Sequence, residues 1–341
     1  MRVLVTANVT PFLQGGADYH IEGLTAALRA QGHEVSCLRL PFNYHRPRDI
    51  DALMTFCDGL DLNQPNGQRV DALISLQFPT YGALHDNHRL WLMHQHRSAY
   101  ELFDAAEASA EDEARRDRIQ AFDTRVLGRI PKRFANSARV AERLHHYNGL
   151  EAEPLYHPPF AAEQFHCAEA EGYLFFPSRF ETLKRQELLI RAARHLQTSV
   201  VFLLAGDGGQ RARCERLIAE LGVSQRVRLL GRVSEAEKRA FYAHSLGVFY
   251  GPRDEDYGYV TLEAMLSSKP VICCTDAGGP LELVRHQETG LVVEPTPEAV
   301  AAAADQLQRD PALARALGEA GRQRYIDLGI AWAHVVRRLL A

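Results

Sequence analysis

Two glutamates eight positions apart, Glu255 and Glu263, stand in the stretch DEDYGYVTLEAMLSSKPVI. Carboxylates accept strong, oriented hydrogen bonds, and the vicinal hydroxyls of ribose or a hexose donate them in pairs. The pattern places Glu255 in a loop and Glu263 in the first turn of the helix that follows, with Gly258 relaxing the turn between them. Glu263 is flanked by Leu262, Ala264 and Met265, which argues against an idle surface position. Arg179 and Lys184 lie in PSRFETLKRQE, with Arg185 beside them. A guanidinium fork and an ammonium point charge together suit two linked phosphates. Basic side chains at a helix start oppose its positive end, and an anionic ligand would relieve that conflict. Gly15-Gly16 offer the same chemistry from the backbone, since phosphate can approach amides at a helix start where no side chain intervenes. A simple turn reads equally well there, and the full GxGxxG pattern of a dinucleotide site is missing.

Two metal readings compete. Asp254 and Asp256 form a DxD, but the phosphates already have basic partners. His85, His88, His94 and His96 fall within twelve positions, yet at no standard zinc spacing. No metal is expected.

The elements that must position these residues share one rhythm. RVLVTANV opens the chain as a buried strand and feeds Gly15-Gly16. A helix then runs from about Ala17 to Ala30, with Ile21, Leu24 and Leu28 on one face. EVSCLRL, VDALISL, RLWLMHQ (89–95) and KRFANS follow as strands, and Ser137 caps the next helix. ELFDAAEASAEDEARRDRIQAFDTRVLGRI reads as one or two solvated helices, or as a mobile segment beside an acceptor site. GYLFFPSRF restarts the rhythm. A helix after Thr182, the strand SVVFLLAGDG, a helix at 211–221, the strand VRLLGRV and a helix capped by Ser234 and Glu237 come next. LGVFYG, KPVICC and an edge-like TGLVVEP complete the strands. Alternating strands and helices imply parallel βα units. The fold class is therefore α/β, with two Rossmann-like domains. Pro158-Pro159 mark the boundary, giving domains at 1–160 and 161–328 and a closing helix at 329–341 that contains Trp332. The interval between the domains is expected to form the active cleft.

The 341 residues carry 39 Lys and Arg against 43 Asp and Glu, a formal charge of -4. That balance gives no argument for nucleic acid. The six cysteines show no zinc or disulfide spacing, so reduced thiols in a cytoplasmic protein are expected. No run reaches the roughly 20 apolar residues of a membrane span, and the first 20 residues do not read as a signal peptide.

Taken together, GGA at 15–17, Asn136-Ser137, SRFETLKRQE, LLAGDGG, LLGRVSEAE, the E-x7-E element, AGGPLELV and TGLVVEP resemble a retaining glycosyltransferase of family 4, with the GT-B arrangement. The resemblance covers nearly the whole chain. It implies that Gly15 and Gly16 approach the donor diphosphate and that Arg179 and Lys184 hold it. It gives Glu263 to the nucleotide ribose and Glu255 to the transferred sugar, and it lets the backbone at Gly278 and Gly279 approach that sugar or its phosphate. It also puts a histidine at the end of the fourth strand near the sugar, His94 being the better match and His96 the second. Asp256, Tyr257 and Tyr259 depart from the family's usual Gly, Phe and Leu.

The activity so implied is transfer of a sugar from a nucleotide diphosphate sugar, UDP first and GDP second, to a hydroxyl with retained configuration. No cofactor is needed beyond that donor substrate. The acceptor class spans a saccharide, a lipid-linked saccharide or a small metabolite, and a lipid-linked one would bring peripheral contact with the inner face of a membrane. Nothing in the pattern points to an oligomeric state. A sugar-nucleotide epimerase would share these contacts, and a non-catalytic nucleotide-sugar-binding protein would be expected to lose some of them.

Overall fold

Buried Val, Leu, Ile and Phe runs build two parallel sheets in the computed structural model, which describes residues 1–12, 15–43 and 46–341. The strands are β1 (Arg2–Val9), β2 (Glu34–Pro41), β3 (Ala72–Ser75), β4 (His88–Leu92), β5 (Lys132–Ala135) and β6 (Glu153–Pro154) in the first sheet. The second holds β7 (Tyr173–Pro177), β8 (Val201–Ala205), β9 (Val227–Gly231), β10 (Gly247–Phe249), β11 (Val271–Cys274) and β12 (Gly290–Val293). Every residue of β3, β4, β7, β10 and β11 is buried, as in a sheet covered by helices on both faces.

The chain divides into two units, one of residues Met1–Pro158 with Ala331–Ala341, the other of Pro159–Ile330. The first sheet runs β2-β1-β3-β4-β5-β6, and its order reverses between β1 and β3. The second runs β12-β11-β10-β7-β8-β9, reversing between β7 and β10. In open α/β sheets ligands bind beyond the strand carboxyl ends at such a reversal. That rule selects the loops after Pro177 and Phe249 in the second unit.

In the first unit, Ile21, Leu24 and Leu28 of the helix Gly16–Ala30 face the core as the spacing predicts. The closing helix Trp332–Leu340 buries Val335, Val336 and Leu339 in the same cluster. The Trp332 ring lies where a Cβ on Gly23 would stand, 2.1 Å away, so a glycine is needed at 23 for this packing. Among the described residues, no helix is long and apolar enough to cross a membrane.

Three expectations need correction. The fourth strand stops at Leu92 rather than Gln95, leaving His94 in the loop beyond it. The acidic segment forms one helix, Ala110–Gly128, that is not merely solvated: Ile119, Phe122, Asp123, Val126 and Leu127 are buried. Its apolar residues crowd into the last three turns, which masks them in a composition-level reading. The helix expected after Thr182 starts only at Gln186, behind a 3-10 turn Thr182–Lys184 and Arg185 at φ 58°.

Candidate active site

Lys184, Tyr250 and Glu255 meet just beyond β7 and β10. Lys184 Nζ donates to Glu255 Oε2, and the Tyr250 hydroxyl donates to the same oxygen at 2.9 Å. Lys184 Nζ also lies 3.3 Å from the Tyr250 oxygen. The lysine and glutamate assigned to different parts of a ligand are therefore an ion pair with each other. Both side chains remain partly accessible, at 18% and 16%. Arg179 follows β7 on the exposed side, and among the described residues no side chain or carbonyl bonds its guanidinium. Arg185 has a different employment: its guanidinium forms a two-pronged pair with Asp276 at 2.7 and 2.6 Å. Asp276, not only a ligand, thus offsets the basic charge at this helix start.

The Glu255 loop rests on backbone. Asp254, Glu255 and Gly279 exchange main-chain bonds across 254–256 and 276–279, at 2.8–2.9 Å. A Cβ on Gly278 would fall 2.6 Å from the Glu255 carbonyl oxygen, and one on Gly279 2.4 Å from that of Asp256. These two glycines therefore have a structural reason to lack side chains: they seat the loop that carries Glu255. The Gly279 amide is already spent on Glu255 O. Two non-glycine residues with positive φ flank the pair of charges, Asp254 at 47° and Arg185 at 58°. Such conformations cost about 1–3 kcal/mol each and persist where surrounding structure enforces them.

Glu263 lies in the second turn of the helix Tyr259–Leu266, not the first. Gly258, at φ 82°, caps that helix, so its first turn spans residues 259–262. Glu263 is buried, with 6% exposure. Lys238 Nζ donates to its Oε1 at 2.9 Å and the Tyr242 hydroxyl to its Oε2 at 2.6 Å. Lys238 and Tyr242 are one turn apart on the helix Glu235–His244, whose start Ser234 and Glu237 cap reciprocally. The sequence reading missed both partners, and Tyr250 as well. A Lys and a Tyr at i and i+4 on one helix face was the available signal.

In the first unit, Gly15 precedes the helix Gly16–Ala30, and its amide donates to Asp18 Oδ2 at 2.9 Å. Asp18 in turn pairs with Arg39 at 2.6 Å. This helix start already carries a carboxylate. His94 is half-buried, with Nδ1 2.7 Å from the Gln95 carbonyl oxygen. A ring nitrogen facing a carbonyl must carry the proton, so a neutral His94 keeps Nε2 as an acceptor. His96 is buried against Phe78, and burial lowers its pKa to about 4. It lines a cavity of about 210 Å³ with Ser98, Phe103, Arg115, Arg116 and Ile119. His88 bonds Ser75 inside the sheet at 2.8 Å, while His85 accepts from the Asn87 amide. Among the described residues, no three His, Cys, Asp or Glu are arranged to hold a metal ion. Arg97 and Arg143 both pair with Glu101. Below this loop Asp123 is fully buried between the hydroxyls of Tyr81 and Tyr100, each at 2.7 Å, and burial pushes its pKa up to about 7.

Residues 161–324 match the family model described as glycosyl transferases group 1. Human alpha-1,3/1,6-mannosyltransferase ALG2 is 34% identical over 110 residues, which are 32% of this chain and 26% of that protein. The D-inositol 3-phosphate glycosyltransferase of Nocardia farcinica is 28% identical over 249 residues, 64% of this chain and 53% of that protein. The chain thus spans about a quarter to a half of the length of these curated relatives. Sucrose-phosphate synthase from Thermosynechococcus elongatus superposes with a TM-score of 0.79 at 20% identity, covering 99% of this chain and 97% of that one. Anabaena HepE, solved with UDP and glucose, gives 0.74 at 16% identity over 100% and 98%. At these identities the likeness shows the fold.

Proposed function

We propose that this chain, which matches the glycosyl transferases group 1 model over residues 161–324 and has the GT-B fold, is a member of that family and carries out a retaining sugar transfer from a nucleotide diphosphate sugar to a hydroxyl. The observation that carries the proposal is the meeting of Lys184 and Glu255 beyond β7 and β10, where the strand order reverses, with Arg179 exposed two residues after β7. Arg179 and Lys184 take the diphosphate, with Gly15 and Gly16 assigned to it from the first unit. Glu263 takes the ribose hydroxyls, and Glu255 takes hydroxyls of the transferred sugar. Gly278 and Gly279 belong to the site through the Glu255 loop they seat. His94 is assigned to the sugar through Nε2.

In the step proposed, the bond between the anomeric carbon and the β-phosphate oxygen breaks, and the acceptor oxygen bonds that carbon on the same face. The acceptor proton passes to the departing phosphate oxygen. Negative charge therefore grows on the diphosphate, where two cations stabilise it. A UDP-sugar is the first donor class, consistent with HepE having been solved with UDP, and a GDP-sugar is the second. The acceptor is a saccharide, a lipid-linked saccharide or a small metabolite. Action on the cytoplasmic side, with peripheral membrane contact for a lipid-linked acceptor, is part of the same reading.

The test is incubation with UDP- and GDP-sugars and candidate acceptors, followed by product mass and proton NMR. The anomeric coupling should match the donor's; an inverted linkage overturns the mechanism, and nucleotide release without a glycosylated product overturns the transfer. His94→Ala should keep nucleotide diphosphate affinity and lose transfer, and full activity would remove His94 from the site.

A further inference from the structure

Glu263 poses an electrostatic problem. A buried carboxylate beside a ligand that brings its own negative charge repels it, and burial raises the strength of that repulsion. Lys238 stands where it answers this. Its ammonium is 2.9 Å from Glu263 Oε1 and 2.9 Å from Glu235 Oε2, with its side chain only 15% exposed. The nearby Tyr242 hydroxyl holds the other Glu263 oxygen, and the Tyr242 ring packs edge-on against Phe175 and Phe165. Tyr242 supplies orientation without charge, whereas Lys238 supplies both. Without Lys238, two carboxylates would share this corner with no ammonium between them.

We propose that Lys238 is a positioning residue of the donor site whose charge lets Glu263 accept ribose hydroxyls beside a nucleoside diphosphate. The inference rests on the reading that Glu263 takes the ribose. It separates Lys238 from Tyr242 by what each should do to a neutral and to an anionic ligand. A residue that only orients the carboxylate changes the affinity of nucleoside and nucleoside diphosphate by one common factor. A residue that also neutralises it penalises the anionic ligand further.

The experiment is calorimetric titration of the whole chain, wild type and variants, with uridine and UDP, and with guanosine and GDP. Lys238→Met should weaken the diphosphate by about ten-fold more than the nucleoside, the size of one charge acting over several ångströms near a protein surface. That excess should shrink at high salt, because screening acts on the charge term alone. Tyr242→Phe should weaken both ligands equally. Lys238→Arg should recover the diphosphate to within about three-fold, since it keeps the charge with a different shape. Should Lys238→Met not fold, Lys238→Gln carries the same comparison. Equal losses for nucleoside and diphosphate in the Lys238 variant, or none, overturn the inference while leaving the donor reading intact. If the wild type binds none of the four ligands, the donor reading falls and this inference with it.

Discussion

Among the described residues, Glu255 and Glu263 are each bonded by the side chains of a lysine and a tyrosine, yet the two clusters are built differently. Lys184 stands in a three-residue 3-10 turn, and both it and Tyr250 donate to a single oxygen, Oε2 of Glu255. Lys238 stands on a ten-residue capped helix, and it and Tyr242 take one oxygen each of Glu263. In the proposed reading, Lys184 turns from carboxylate to phosphate while Tyr250 keeps its bond to Glu255. Lys238 cannot leave without stripping a buried oxygen of its donor. One cluster is arranged to exchange partners and the other to stay fixed, which is what a reacting sugar-phosphate and a static ribose would respectively require.

The largest effect should follow from breaking the exchangeable cluster. Lys184→Met should lower kcat/KM for transfer by about 10²–10³, the loss typical of one group stabilising transition-state charge. Steady-state rates with the donor identified by screening would measure it. Arg179→Ala should act in the same direction. If Lys238→Met cut kcat as deeply as Lys184→Met, the division between exchanging and fixed lysines would be wrong.

A smaller effect separates the glutamates themselves. Glu263→Gln should weaken nucleotide diphosphate binding by about 1.5–3 kcal/mol, the worth of a hydrogen bond to a charged group. Glu255→Gln should leave that affinity nearly unchanged and reduce turnover with the intact donor instead. Calorimetry on both variants decides, and equal losses of affinity would merge the two roles.

How much of this contrast is legible in the sequence depends on its range along the chain. The βα rhythm, the Ser137 and Ser234 caps and the E-x7-E spacing are local, and the sequence carries them. The edge position of TGLVVEP is also borne out, with β12 closing its sheet. The partners of the glutamates are not local. Lys184 is 71 residues from Glu255, and Lys238 is 25 from Glu263, so pattern alone does not pair them. The sequence puts Glu263 one turn too early because the helix already begins at Tyr259, directly after a left-handed Gly258 cap, and a φ value is not written in composition. Asp123 lies past the acidic run, between Phe122 and Thr124, and its partners, the Tyr81 and Tyr100 hydroxyls, are 42 and 23 residues away along the chain. The glycines at 278 and 279 resembled ligand-facing residues, whereas their close approach is to the 254–256 backbone.

The tyrosines provide the finest test. Tyr242→Phe removes the donor to Glu263 Oε2, and its site is fully buried, so water cannot readily replace it. Tyr250→Phe removes a donor from Glu255 Oε2, but Lys184 still serves that same oxygen. A buried acceptor left unmet costs about 1 kcal/mol or more, whereas an oxygen that keeps a charged donor loses less. Tyr242→Phe should therefore lower the melting temperature by about 2–4 °C, the shift expected per kcal/mol for a unit of this size. Tyr250→Phe should fall within about half that. Thermal melts followed by circular dichroism measure both. Equal shifts would mean that the arrangement on one oxygen or two has no energetic consequence. The exchangeable character of the Glu255 cluster would then have to come from the placement of Lys184 in the short Thr182–Lys184 turn alone.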